Sequence, residues 1–316
     1  MTTTLDTRPA PAEQDLTVVP VRHYGRWVAA LASVVSLAGL IGSLATNANL
    51  RWDIIGDYLL ADLIFDGLVT TLWLTVAAMA LGLTLGTVIA VMRLSSNPVL
   101  YGLSSLFVWA FRGTPLLVQI IFWGYAGALY KNVLIGIPFT DITFFQADTN
   151  SLLTPAVAAL LALGLNEAAY ASEIVRAGIQ SVDTGQAEAA HSLGMRPALT
   201  MRRIVLPQAM RVIIPPMGNE TINMLKMTAL VSVIAAHDLM SNIQEVYAQN
   251  YQVIPMLVVA SLWYLALVSL LSIPQAWLER RYGRGTARDG HTSPLRRMLT
   301  GAAPGYLPKN KKEIVR

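Results

Sequence analysis

The chain has 316 residues, 54% of them hydrophobic and only 13% charged, with a mean hydropathy of +0.50 and a formal net charge of +4. Soluble domains carry about a quarter charged residues, so this composition excludes an ordinary water-soluble globule and points to lipid. Cysteine is absent and His23, His191, His237 and His291 lack ligand spacing, which excludes a disulfide framework and leaves no metal to expect.

A helix crossing a hydrocarbon core of about 30 Å needs about 20 apolar residues, and six stretches qualify. The reading is an all-α membrane protein with about six transmembrane helices. Residues 1–26 are polar and are expected to form a disordered N-terminus. Trp27 to Thr46 is the first span. Ser43-Leu44-Ala45 resembles a small-residue cleavage site, but the long leader with Asp6, Glu13 and Asp15 favours a retained anchor. The second span, Gly67 to Met92, repeats Ala78, Gly82, Gly86 and Ala90 every four residues, a face for close helix packing either within the subunit or across a dimer seam. Val99 to Tyr130 would make one helix of about 48 Å, too long for one crossing. Arg112-Gly113-Thr114-Pro115 therefore divides it into an interfacial helix, Val99 to Phe111, and a crossing, Thr114 to Tyr130. Further spans are read at Thr154 to Val175, Met217 to Ala236 and Ile254 to Trp277. Residues 283–316 form a basic tail, expected to be disordered and to touch anionic lipid rather than nucleic acid.

Charge orients the bundle. All but three of the 23 basic residues (Arg51, Lys131 and Lys226) fall in segments assignable to one side, and the opposite side carries Asp53, Asp57, Asp62, Asp66, Asp141, Asp148, Asp238 and Glu245. Basic residues stay cytoplasmic. Both termini and the polar stretch between the fourth and fifth spans are thus placed on the cytoplasmic side of the membrane.

That stretch, residues 183–207, reads as two short helices. Asp183 caps the first, with Gln186 reaching back to the cap, and Gly194 ends it in a left-handed conformation. Pro197 fits the first turn of the second, and Pro207 is expected to stop it. The plain alternative is an ordinary interhelical loop.

Glu188 to Pro207, EAAHSLGMRPALTMRRIVLP, resembles the EAA loop of the permease subunits of bacterial ABC importers: EAA, three residues, Gly, nine residues, Ile, one residue, Leu-Pro. FRGTPLLVQ (Phe111 to Gln119), AAYASEIVRAGIQSV (Ala168 to Val182), PQAMRVIIPPMGNE (Pro207 to Glu220) and LVSVI (Leu230 to Ile234) are similar to the polar amino-acid uptake branch, which handles histidine, glutamine or glutamate. The resemblance covers about 64–282. Met227 and Ala229 stand where Asp and Ser are common, and Glu167 where a small residue is usual. The resemblance implies a five-helix permease core plus one N-terminal helix. It also implies pairing with a second permease, the same or a sister chain, and an extracytoplasmic solute-binding protein. Glu188, Ala189, Ala190, Gly194, Arg196, Ile204, Leu206 and Pro207 would engage an ATPase subunit. No phosphate loop, His-Glu-x-x-His or Gly-x-Ser-x-Gly occurs. ATP and Mg would therefore sit on the partner ATPase, and this chain would carry no cofactor and no catalytic residue.

Ionisable groups within spans are costly and mark transport paths or internal pairs. Counted from Arg176 and Pro216, Glu167 and Lys226 lie at about 13 and 15 Å of depth. They either receive the two ends of a zwitterionic amino acid or neutralise each other as an ion pair. Asn166, Tyr170, Thr221 and Asn223 are further candidates for the path, and Glu173 with Arg176 reads as a local pair. Two rivals are an ABC permease for an opine, a small peptide or an osmolyte, and an ion-coupled carrier relaying protons through Glu167, Glu173 and Lys226. The second leaves the EAA pattern unexplained.

Overall fold

The computed structural model describes residues 24–136 and 143–282, so the two tracts expected to be disordered lie, but for Tyr24, Gly25 and Arg26, outside the described residues. The chain divides into two units. In the first, α1 (Tyr24–Ala45) is an apolar helix of 22 residues with no buried side chain. At 1.5 Å per residue it reaches about 33 Å, enough to cross a bilayer core.

The second unit opens with a 3₁₀ turn (Ala48–Leu50), α2 (Trp52–Leu59) and the long α3 (Asp62–Arg93). α4 (Pro98–Gly113), α5 (Leu116–Gly124) and the one-turn α6 (Ala126–Leu129) follow. An antiparallel hairpin of β1 (Asn132–Gly136) and β2 (Thr143–Asp148), pairing Asn132 with Asp148, leads through the one-turn α7 (Thr149–Leu152) into α8 (Pro155–Gln180). After it come α9 (Thr184–Ser192), α10 (Pro197–Thr200), a π-turn (Met201–Val205) and α11 (Leu206–Met227). A 3₁₀ stretch (Thr228–Ile234), α12 (Leu239–Asn250) and α13 (Val253–Tyr282) complete it. Among the described residues, α1, α3, α8 and α13 are each long and apolar enough to cross a membrane, and the number reaches six if each of two bent pairs forms one span.

The helix starts follow local chemistry. Asn97 accepts from Val99 N and Leu100 N ahead of α4, Thr154 accepts from Val157 N ahead of α8, and a proline fills the first helical position of each. α8 is the hub. Its alanines 158, 159, 162, 168, 169 and 171 are all fully buried, and its most extensive packing is with α3. The small-residue stripe of α3 supplies the other half: Ala78, Gly82, Gly86 and Ala90 are buried, with Gly82 against Glu167 and Gly86 against Ala168, Ala171 and Ser172. The stripe therefore packs inside the subunit.

At the opposite end of α3, Gly67 admits the backbone of Leu239, Thr71 Oγ1 accepts from Leu239 N at 3.0 Å, and Asn242 Nδ2 donates to Leu63 O at 2.8 Å. Asp238 caps α12 through Met240 N and Ser241 N. Across the bundle, Gln275 of α13 donates to Pro215 O at 2.9 Å, joining α13 to the double proline of α11.

Three expectations are corrected. The crossing read at Thr114 to Tyr130 is not one helix: α5 ends at Gly124, and the chain turns through Tyr125 into α6. The division before it stands where the sequence put it, with α4 and α5 meeting at 100°. The span read at Met217 to Ala236 begins earlier, because Pro207 does not stop a helix. Pro197 to Ile234 is continuous, and bends by 45° into α12. The π-turn explains this, since Leu206 N bonds to Met201 O, five residues back, and the wider turn gives the Pro207 ring room that a regular α-turn denies it.

Gly86→Ala is expected to destabilise the folded chain by about 1–3 kcal/mol, since its Cβ would meet Ala171 Cβ at 2.7 Å and the backbone O of Ala168 at 2.9 Å. Gly102→Ala, which meets nothing within 4 Å, should be neutral or gain up to about 1 kcal/mol of helix propensity. Thermal unfolding of the two purified variants in detergent checks the contrast.

Candidate functional site

The handle between α8 and α11 is built by turn chemistry. Asp183 Oδ1 accepts from Gly185 N at 2.8 Å and starts α9, while Gln186 contributes its backbone N–H to Asp183 O (3.0 Å) rather than a side-chain bond. The end of α9 is a Schellman turn: Met195 N donates to Ala190 O (3.1 Å), Gly194 N donates to His191 O (2.9 Å), and Gly194 has φ +75°. α10 then starts with Pro197 at its first position, and Arg196 O accepts from Leu199 N and Thr200 N.

Ala190, Thr200 and Val205 are buried, pinning the handle from inside, and Ile204 is half-buried. Glu188, Ala189, Gly194, Arg196, Leu206 and Pro207 are exposed. The structure adds Leu193, which is 83% exposed at the tip of the turn and which sequence reasoning passed over. Its signal was an apolar residue directly before the glycine. No loop separates this handle from the bundle, because α10 runs through the π-turn into α11. Gln208 Nε2 reinforces the junction by donating to Ile204 O at 2.9 Å.

The residues expected on a substrate path separate. Asn166 is buried and donates to Phe111 O (3.1 Å) and Gln119 Oε1 (3.3 Å). Gln119 Nε2 in turn donates to Phe111 O (2.9 Å), Thr114 O (3.1 Å) and Thr114 Oγ1 (2.8 Å). These two side chains staple the 100° bend, supplying donors to carbonyls that a continuous helix would have satisfied. Gln119 is a second residue that sequence reasoning missed; it stood in the sequence inside the FRGTPLLVQ motif, without a visible partner. Tyr170 lies at the surface beneath the Arg112 guanidinium, 5.1 Å from its ring centroid. Thr221 Oγ1 donates to Met217 O within its own helix, and Asn223 is half-buried on α11.

Glu167 is 3% exposed, lies against Gly82 of α3, and its Oε1 has no hydrogen-bond partner. Lys226 is exposed, and the two form no ion pair. Half-buried Glu220 lies on α11, which packs against α8. Open hollows of about 350 Å3 between α3, α11 and α13, and about 280 Å3 at the α4–α5 bend, are lined by neither Glu167 nor Lys226. Glu173 is more than a local partner of Arg176, because Arg93 of α3 and Arg112 of α4 converge on the same carboxylate. Among the described residues no three His, Cys, Asp or Glu side chains are grouped to hold a metal.

Comparison with known proteins places this geometry. The family model described as "Binding-protein-dependent transport system inner membrane component" matches residues 82–284. The arginine transport system permease protein ArgU of Corynebacterium glutamicum is 44% identical over 301 residues, covering 93% of each chain. The L-cystine transport system permease protein TcyB of Bacillus subtilis is 35% identical over 247 residues, covering 78% of this chain and 97% of its own. Among solved structures, the crystal structure of an amino acid ABC transporter with histidines matches with a TM-score of 0.58 and 36% identity, covering 69% of this chain and 94% of that one.

Gln119→Ala would leave Thr114 O without its side-chain donor, take one of two side-chain donors from Phe111 O and deprive Asn166 of an acceptor. It is expected to lower stability by about 1–2 kcal/mol. A drop of several degrees in the thermal midpoint of the detergent-solubilised chain checks this, and an unchanged midpoint would remove the staple from the bend.

Proposed function

The chain belongs to the family of inner-membrane components of binding-protein-dependent transport systems, and from that membership we propose how its own residues serve transport. It is a multi-pass permease subunit of an amino-acid ABC importer. In our reading the handle of α9 and α10 docks on a cytosolic ATPase subunit, with Leu193 and the exposed face around Glu188 and Arg196 making the contact. Both termini then lie in the cytoplasm, ATP and Mg bind on the ATPase, and a solute-binding protein delivers substrate from the other side to a pair of permeases. The observation that carries this is the continuity of Pro197 to Ile234. A displacement of the handle is a displacement of a membrane helix, because a hydrogen-bonded helix transmits force along its axis where a loop would absorb it.

The substrate we propose is a basic amino acid. Support comes from the arginine permease that is similar over nearly the whole chain, together with the buried, unpartnered carboxylate of Glu167 and a second acidic group, Glu220, on the adjacent helix α11. Separation of α8 from α11 during the cycle would present these acidic groups to a guanidinium or ammonium group, with Asn223 alongside. Lys226, being exposed and apart from Glu167, takes no part in this pair. An ion-coupled carrier is not favoured, since the family match accounts for the handle that such a carrier leaves unexplained.

Gly194→Val should abolish ATP-coupled uptake in vesicles holding the full importer while the chain still inserts, because a β-branched residue resists φ of +75°. Normal uptake by that variant would contradict the handle. Glu167→Gln should reduce arginine uptake by about 10–100-fold, corresponding to loss of one charge-assisted bond of about 1.5–3 kcal/mol. Unaltered arginine uptake would discard the acidic path and leave the handle standing.

A further inference from the structure

Three guanidinium groups converge on one carboxylate at the end of the bundle that carries the handle. Glu173 lies near the C-terminal end of α8, Arg93 is the last residue of α3, and Arg112 is in the last turn of α4. Arg93 bonds to Glu173 Oε1. Arg176 Nη2 and Nε bond to Glu173 Oε2 at 2.6 and 3.1 Å, and Arg176 Nη1 donates to Gln180 Oε1 at 2.6 Å. Arg112 Nη1 reaches only to 3.8 Å from Glu173 Oε1, beyond hydrogen-bond distance. The Arg112 side chain thus makes no hydrogen bond among the described residues, and Arg93 Nε is buried without an acceptor. The cluster holds two more positive charges than negative ones, and a five-donor planar fork on Arg112 has no acceptor.

Helix dipoles account for part of this. Arg93 and Arg112 each sit where a helix C-terminus favours a cation, which explains their sign. It does not supply acceptors for their N–H groups. Arg112 is also held in place, stacked over Tyr170, and its side chain is 44% exposed. The helix that carries it, α4, leaves Val99, Leu103, Leu106 and Trp109 exposed along a helix turned 100° from α5. Such a helix suits a membrane surface, where its apolar residues would enter lipid and its end would meet the headgroups.

We propose that Arg93, Arg112 and Arg176 form a binding site for a phosphate group, with the phosphodiester of an anionic lipid as its source. A tetrahedral phosphate at the exposed Arg112 fork provides the acceptors that fork lacks, with the net positive charge of Arg93 and Arg176 behind it, and a guanidinium fork matches phosphate oxygens in paired, charge-assisted bonds. The position favours the lipid over a free anion, because Arg112 emerges beside the apolar residues of α4 that acyl chains would cover. The inference rests on the chain being membrane-embedded and not on the identity of the transported solute.

The full-length chain, purified and reconstituted in nanodiscs of mixed phosphatidylglycerol and phosphatidylcholine, is ejected into a native mass spectrometer and its retained lipid counted. Wild type is expected to retain phosphatidylglycerol in preference to phosphatidylcholine. Arg112→Gln should lower that retention about fivefold, the equivalent of about 1 kcal/mol for one basic residue at a membrane surface. Arg112→Lys, which keeps the charge and the contact with Glu173 but loses the planar fork, should fold and retain an intermediate amount. Arg211→Gln, removing an exposed charge elsewhere on the same chain, should change nothing. Equal retention by wild type and Arg112→Gln, or an equal loss in Arg211→Gln, overturns the site. Displacement of phosphatidylglycerol by millimolar inorganic phosphate, with the Arg112 dependence intact, overturns the lipid as the source and assigns the cluster to a free anion.

Discussion

The close approach of α3 and α8 is the constraint on which the larger unit depends. Lipid offers no hydrophobic drive for helices to associate, so packing must come from backbone contact, and contact requires small side chains. Gly82 and Gly86 on one helix face Glu167, Ala168, Ala171 and Ser172 on the other with no room for a Cβ. Because α8 is held so tightly, its outer faces become a fixed platform. α5 and α11 pack on it, and its far end sets the positions of Glu173 and of the turn into α9.

A second constraint governs the α4–α5 bend. Within a membrane an unpaired backbone group costs several kcal/mol, so a helix breaks only where something replaces the lost partner. At the α4–α5 bend the replacement is a pair of amide side chains, Gln119 and Asn166. After α9, in the exposed handle, the Schellman pair closed by Gly194 ends the helix, and before α11 a π-turn tolerates Pro207. The bend fixes an angle of 100°, whereas the π-turn preserves continuity, and this difference separates a static corner from the element proposed to move.

Features written into local chemistry were legible in the sequence. Asp183, Gly194 and Pro197 carry their cap and turn roles in their residue types, the fourfold recurrence from Ala78 to Ala90 announces a packing face, and Arg112 to Pro115 marks a division. What was not legible depends on direction about a helix axis or on distant partners. Counting residues gave Glu167 and Lys226 the same depth, but depth says nothing about azimuth, and one points at Gly82 while the other is exposed. Gln119 and Asn166 are 47 residues apart, and nothing local pairs them. Pro207 misled because the rule that proline stops a helix assumes a regular α-turn before it. The β1–β2 hairpin gave no signal in an otherwise helical reading.

The central claim is that the handle and α11 move as one body. Spin labels at Leu199 and Val212, both exposed and on either side of the π-turn, span about 20 Å of helix. A third label at Val88 of α3 provides the reference. Pulsed electron paramagnetic resonance on the assembled importer, with and without ATP, measures both separations. The expected result is an unchanged Leu199–Val212 distance and a shifted Leu199–Val88 distance; a change within the first pair would show that the junction bends and would contradict rigid transmission.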